Sequence, residues 1–102
     1  MTDPHEPRAV EVQLTGDDFS RSFLVRCRNA ADENLLCGWV RSEPVSHPRL
    51  GRDGVLIHLE GLGYQIDNYL NWLRGGVEGV RIGRIQIEPA ERQRWSDFEL
   101  LS

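Results

Sequence analysis

The order in which two hydrophobic periods succeed one another constrains this chain more than any other feature. Val10, Val12 and Leu14 alternate with Glu11, Gln13 and Thr15, a period of two that gives a strand with one buried face. After a loop over Gly16–Ser20 the spacing changes. Phe23, Leu24, Cys27, Ala30, Ala31 and Leu35 recur at three and four residues, as on an amphipathic helix, with Asp18 or Ser20 available as its N-cap. A second strand follows over Leu36–Arg41. A third comes from Val55, Ile57 and Leu59 alternating with Leu56, His58 and Glu60. Ile66, Tyr69, Leu70 and Leu73 share one face of a second helix that stops at Gly75-Gly76. Val80, Ile82, Ile85 and Ile87 make a fourth strand, in which Gly83 breaks the alternation and predicts a bulge. The stretch Pro89–Ser96 reads as polar and turn-like, and Asp97–Leu101 as a short last strand. The succession β-α-β-β-α-β predicts an α+β ferredoxin-like sandwich: an antiparallel sheet of four to five strands with both helices on one face. Residues 1–8 read as a disordered lead-in and 9–102 as one domain.

Composition narrows the function classes. A chain of 102 residues with 39% hydrophobic and 27% charged residues suits one small globular core. No apolar run is long enough to span a bilayer, and the polar start Met1–Pro7 lacks the pattern of a signal peptide, so a cytoplasmic monomer without membrane contact is expected. Cys27 and Cys37 are not spaced as a metal pair, and His5, His47 and His58 are scattered, so neither a metal nor another cofactor is expected. Both cysteines read as buried free thiols. All 12 basic residues are arginine, which excludes lysine chemistry. A net charge of −4 argues against nucleic acid as a partner. His58 has no acid beside it in the pattern and reads as a strand surface residue. Trp39 points to the side of the sheet opposite Val40, where packing against His58 is expected.

Several motifs, taken in order, resemble the acylphosphatase family over roughly residues 9 to 101. The family opens on a glycine, a loop carrying V-Q-G, two apolar residues and an arginine. Here the span reads Gly16-Asp17-Asp18-Phe19-Ser20-Arg21-Ser22-Phe23-Leu24. Leu35-Leu36-Cys37-Gly38-Trp39-Val40 is similar to the strand that carries the family's G-W-V-x-N. Asp53-Gly54-Val55 resembles its hairpin turn, Ile66–Leu73 with Trp72 its second helix, and Ser96-Asp97-Phe98-Glu99-Leu100 its ending.

The resemblance implies hydrolysis of carboxyl-phosphate anhydrides without metal or cofactor. The first loop would wrap the phosphate with backbone N–H groups at a helix N-terminus, the arginine would clamp it, and the asparagine would orient the attacking water. In this chain the arginine position holds Leu24 and the asparagine position Ser42. Leu24 donates no hydrogen bond. Losing a preorganised transition-state donor costs roughly a hundred- to a thousandfold in rate. Asp17 and Asp18 add two carboxylates to the loop over Gly16–Ser22, each repelling an anion by about 1 kcal/mol at about 4 Å in water. Ser20 replaces a glycine of the family loop.

These departures predict an acylphosphatase-like protein with lost or strongly weakened hydrolysis, acting as a small module for an anionic ligand or a protein partner. The alternative is a divergent enzyme whose site is rebuilt with Arg21 or Arg26 beside Ser42. A nucleic-acid-binding sheet is the weakest reading, because the strands lack clustered aromatics with basic flanks. The loop Glu43–Arg52 brings His47, Arg49 and Arg52 toward the rim of the old pocket, together with Trp39.

Overall fold

The computed structural model describes residues 5–17, 19–43 and 53–101. Its elements run β1 (Pro7–Asp17), α1 (Arg21–Glu33), β2 (Cys37–Glu43), β3 (Asp53–Leu62), α2 (Gly63–Arg74), β4 (Arg81–Pro89) and β5 (Phe98–Leu101). The sheet order is β4-β1-β3-β2-β5, so the β-α-β-β-α-β core takes the arrangement that the two periods require. The Asp53-Gly54 turn expected from the motif is instead the start of β3.

Both helices cover one face. Val10, Val12, Leu14, Val40, Val55, Ile57 and Leu59 project from that face and pack against Phe23, Leu24, Cys27, Ala30 and Ala31 of α1 and Ile66, Tyr69, Leu70 and Leu73 of α2. The register keeps the alternating set together, with Val12 opposite both Ile57 and Ile87. Burying a large apolar side chain contributes about 1.5–3 kcal/mol, so these interlocked stripes are the main source of stability. Tyr69 is wholly buried and its hydroxyl donates to the Cys27 carbonyl at 3.0 Å, which ties α2 to the middle of α1 and satisfies the buried O–H.

The β1–β4 ladder shifts register where Thr15 faces Arg84 and Gly16 faces Ile82. Gly83 is therefore the extra residue of a bulge. A Cβ on Gly16 would stand 1.9 Å from the Arg81 carbonyl oxygen, so the crossing of these strands needs glycine there. Gly38, at φ +134°, is pressed against the His58 carbonyl in the same way.

The sheet is mixed rather than antiparallel. β5 runs parallel to β2, with Gly38 opposite Phe98 and Val40 opposite Leu100. The reason is the path of residues 90–97. The Ala90 N–H bonds to the Ala9 carbonyl beside β1, and the Gly38 N–H bonds to the Asp97 carbonyl beside β2. The chain thus crosses the helix-free face of the sheet from one edge to the other and enters β5 in the direction of β2. What reads in sequence as a polar turn is a strap.

Candidate active site and the opposite face

The family-like positions gather at one end of the sheet. β1 finishes there at Gly16-Asp17, α1 begins there at Arg21, and β2 brings Ser42 opposite Val55 at the start of β3. Ser20 caps α1. Its carbonyl accepts from the N–H of Phe23 at 3.0 Å and of Leu24 at 3.2 Å, and its hydroxyl accepts from Phe23 at 3.4 Å. These donors of the first turn are therefore already engaged by the chain itself. Phe19 stacks on Phe23 with centroids 5.1 Å apart, holding the end of the loop against the core. Asp17, Arg21, Ser22 and Ser42 are exposed. Asp18, His47, Arg49 and Arg52 lie outside the described residues.

Leu24 is only 6% exposed and belongs to the core cluster. Arg21 is the first residue of α1 and lies in solvent at the mouth of the loop. Arg26 is engaged elsewhere: its Nη1 donates to the Glu78 carbonyl at 2.7 Å. It borders a recess with Asn29, Trp72 and Val77, so its guanidinium staples α1 to the turn after α2.

The opposite face carries a network of which the sequence reading anticipated only the packing of Trp39 on His58. His58 is 0% exposed, not a surface residue. Its Nε2 donates to Glu60 Oε2 at 2.6 Å, while Nδ1 lies 3.9 Å from Glu11 Oε1. The Trp39 ring stacks on the imidazole at 5.7 Å and 16°, and the Arg41 guanidinium covers the indole at 5.1 Å. Trp39 is itself buried. The strap closes over this row: Glu60 accepts the backbone N–H groups of Gln93 at 2.5 Å, Arg94 at 2.9 Å and Trp95 at 3.3 Å. Arg94 adopts φ +60°, the left-handed turn that lets successive N–H groups converge on one anion. Gln93 Oε1 accepts from both indoles, Trp39 at 3.3 Å and Trp95 at 2.7 Å. Burial pushes the Glu60 carboxyl up, but the bonds from His58, Gln93 and Trp95 outweigh it and hold the group below the ordinary glutamate range. The signal for this network was present in sequence: His58 and Glu60 lie two apart on one strand, hence on one face.

Beside the strap, a cleft of about 500 Å³ is lined by Leu35, Cys37, Glu60, Arg92, Arg94 and Trp95 among others. Cys37 is half-buried, more open than expected. Burial, then the charge of Glu60, raises its thiol pKa. Cys27 is fully buried, and desolvation pushes its thiol up to about 12. Both cysteines are free. Among the described residues no cluster of His, Cys, Asp and Glu could hold a metal ion, and no helix is long and apolar enough to cross a membrane.

Comparison with known proteins places this architecture. Among solved structures, an acylphosphatase from Coxiella burnetii matches with a TM-score of 0.78 and 23% identity over 93% of both chains. An acylphosphatase from Bacillus subtilis matches with a TM-score of 0.76 and 17% identity, over 95% of this chain and all 100% of that one. Full-length HypF, in a phosphate- and nucleotide-bound form, matches 95% of this chain with a TM-score of 0.82 and 19% identity, and the chain spans 12% of its length. These likenesses are of fold. Comparison with curated proteins finds no match. The acylphosphatase family profile matches residues 10–100. With that span covering nearly all of the sheet and both helices, the chain belongs to the acylphosphatase family.

Proposed function

We propose that this chain is an acylphosphatase-family domain that has lost most or all acylphosphate hydrolysis and acts as a small binding or interaction module. One observation carries the reading: Leu24, which the gapless motif match sets at the family's arginine position, has its side chain packed into the core. Three others agree with it. Ser42 is too short to orient water as an asparagine amide does, Ser20 occupies N–H donors of the first turn of α1, and Asp17 sets a carboxylate beside the loop. A dianion arriving there meets repulsion and no clamp, so both binding and charge stabilisation in the transition state are weakened. The cleft beside the strap, with Arg92 and Arg94 on its wall, suits a small anionic ligand better than the loop does.

A second reading is favoured by the position of Arg21, exposed at the N-terminus of α1. From there a guanidinium can reach over the loop, and a divergent hydrolase would use it with Ser42. Arg26 is a poorer substitute because the Glu78 carbonyl holds it. Hydrolysis of benzoyl phosphate by freshly purified protein separates the readings. A rate equal to the buffer blank is expected; clear turnover abolished by Arg21→Ala would overturn the lost-activity reading and establish the rebuilt site.

A further inference from the structure

β4 is an outer strand of the sheet, and its free edge carries a pattern that complements itself. The Ala90 N–H bonds to the Ala9 carbonyl of β1. By the alternation of a ladder, the backbone groups of Glu88, Gln86 and Arg84 also face β1, while those of Ile87 and Ile85 face outward. Pro89 falls in the outward set, where its missing N–H breaks no existing bond. Pro89 at one end and the Gly83 bulge at the other blunt the edge. Between them, among the described residues, no strand pairs with the outer side of the window from Arg84 to Glu88.

The side chains of this window divide by face. Ile85 and Ile87 are half-buried against the core, and Arg84, Gln86 and Glu88 are exposed on the helix-free face. On that face Glu88 stands directly opposite Glu11 of β1, a like-charge pair that destabilises a sheet. Among the described residues neither Arg84 nor Glu88 takes part in an ion pair. Glu88 therefore has a like charge on one flank and an unfilled position on the other.

We propose that β4 pairs antiparallel with β4 of a second copy of this chain, about a two-fold axis through Gln86 perpendicular to the sheet. In this register Ile85 of each copy lies opposite Ile87 of the other as a hydrogen-bonded pair. The outward backbone groups of the window are then satisfied, and the isoleucines cover one another on the helix side. Arg84 of each copy lies opposite Glu88 of the other, so a cation reaches the open flank of each Glu11–Glu88 repulsion. Faces are preserved only if the register slides by an even number of residues. The nearest slides put Arg84 opposite Gln86 or Ala90 and lose the charge pairing. The two sheets become one, with all helices on the same side. This departs from the monomer expected from sequence and does not depend on whether the loop site hydrolyses anything.

Sedimentation of the wild-type protein from low micromolar to near-millimolar concentration should show a reversible monomer–dimer equilibrium. Arg84→Glu or Glu88→Arg alone should weaken it about tenfold or more by setting like charges across the interface, and the double variant should restore it. A Gln86→Cys variant in a Cys37→Ser background should form a disulfide-linked dimer under mild oxidation. Directly opposed residues of a non-hydrogen-bonded pair have Cα atoms about 4.5 Å apart, within disulfide range. Gln13→Cys, on the same face of β1, should not cross-link. A protein monomeric throughout overturns the proposal. So does a dimer that ignores both charge reversals, one that the double variant fails to restore, or one that Gln86→Cys fails to lock.

Discussion

At position 60 a carboxylate is withdrawn from water and met by His58 from its own strand and by three backbone N–H groups from the strap. Bonds to a charged group are worth about 1.5–3 kcal/mol each when a partner is lost, so Glu60 is the pin that fastens residues 90–97 to the sheet. Its pKa is lowered in the folded protein. The ionised form therefore adds stability in full above the ordinary glutamate pKa of about 4.3, and that contribution fades as pH falls through the lower folded value. Glu60→Gln should cost about 2–4 kcal/mol at neutral pH and flatten the acid limb of stability. Urea melts between acid and neutral pH, followed by the fluorescence of Trp39 and Trp95, would check both; an unchanged acid limb would count against this role. The sequence made the alternation of His58 and Glu60 visible but not their burial, because what buries them is the strap, and nothing in Pro89–Ser96 shows a hydrophobic period.

Among the elements, α1 was legible in most of its buried face, except that Leu35, expected on that face, lies beyond the helix end at φ 57° and is exposed. Its apolar residues repeat at helical spacing, and Ser20 caps it as the loop chemistry suggested. Replacing Ser20 with alanine should lower stability by about 0.5–2 kcal/mol, measured by denaturant midpoint, because the hydroxyl that accepts from the Phe23 N–H is lost while the residue-20 carbonyl still holds the Phe23 and Leu24 N–H groups. Leu24 shows the limit of pattern reading: the spacing placed it in the buried stripe, and packing bears that out, whereas its match to the family's arginine position is a reading of the motif alone. Gly83 announced its bulge through a broken alternation. β5 did not announce its direction, since four residues carry no trace of whether the neighbour runs with or against them. That was settled by the crossing path of the strap, a tertiary feature.

Across the whole molecule the two thiols report on different degrees of opening. Cys27 sits in the centre of the core with its pKa raised to about 12, whereas Cys37 lies half-open beside the cleft. Since the thiolate is the reactive form, a thiol reagent at mild alkaline pH should label Cys37 slowly in the native protein. Cys27 should be labelled only at the rate of global unfolding. Rapid labelling of both by mass spectrometry would contradict the packing of α1 on the sheet. The strap has one more consequence. Because it carries the chain over the sheet and sends β5 along β2, β1 starts opposite Leu62 in the inner part of the sheet and β5 ends opposite Arg41 at its far edge. The two points are separated by about 20 Å along the strands and about 14 Å across them. The strap thus keeps the start of the first strand and the end of the last on different sides of the sheet's centre, and the described chain does not return to where it entered the sheet.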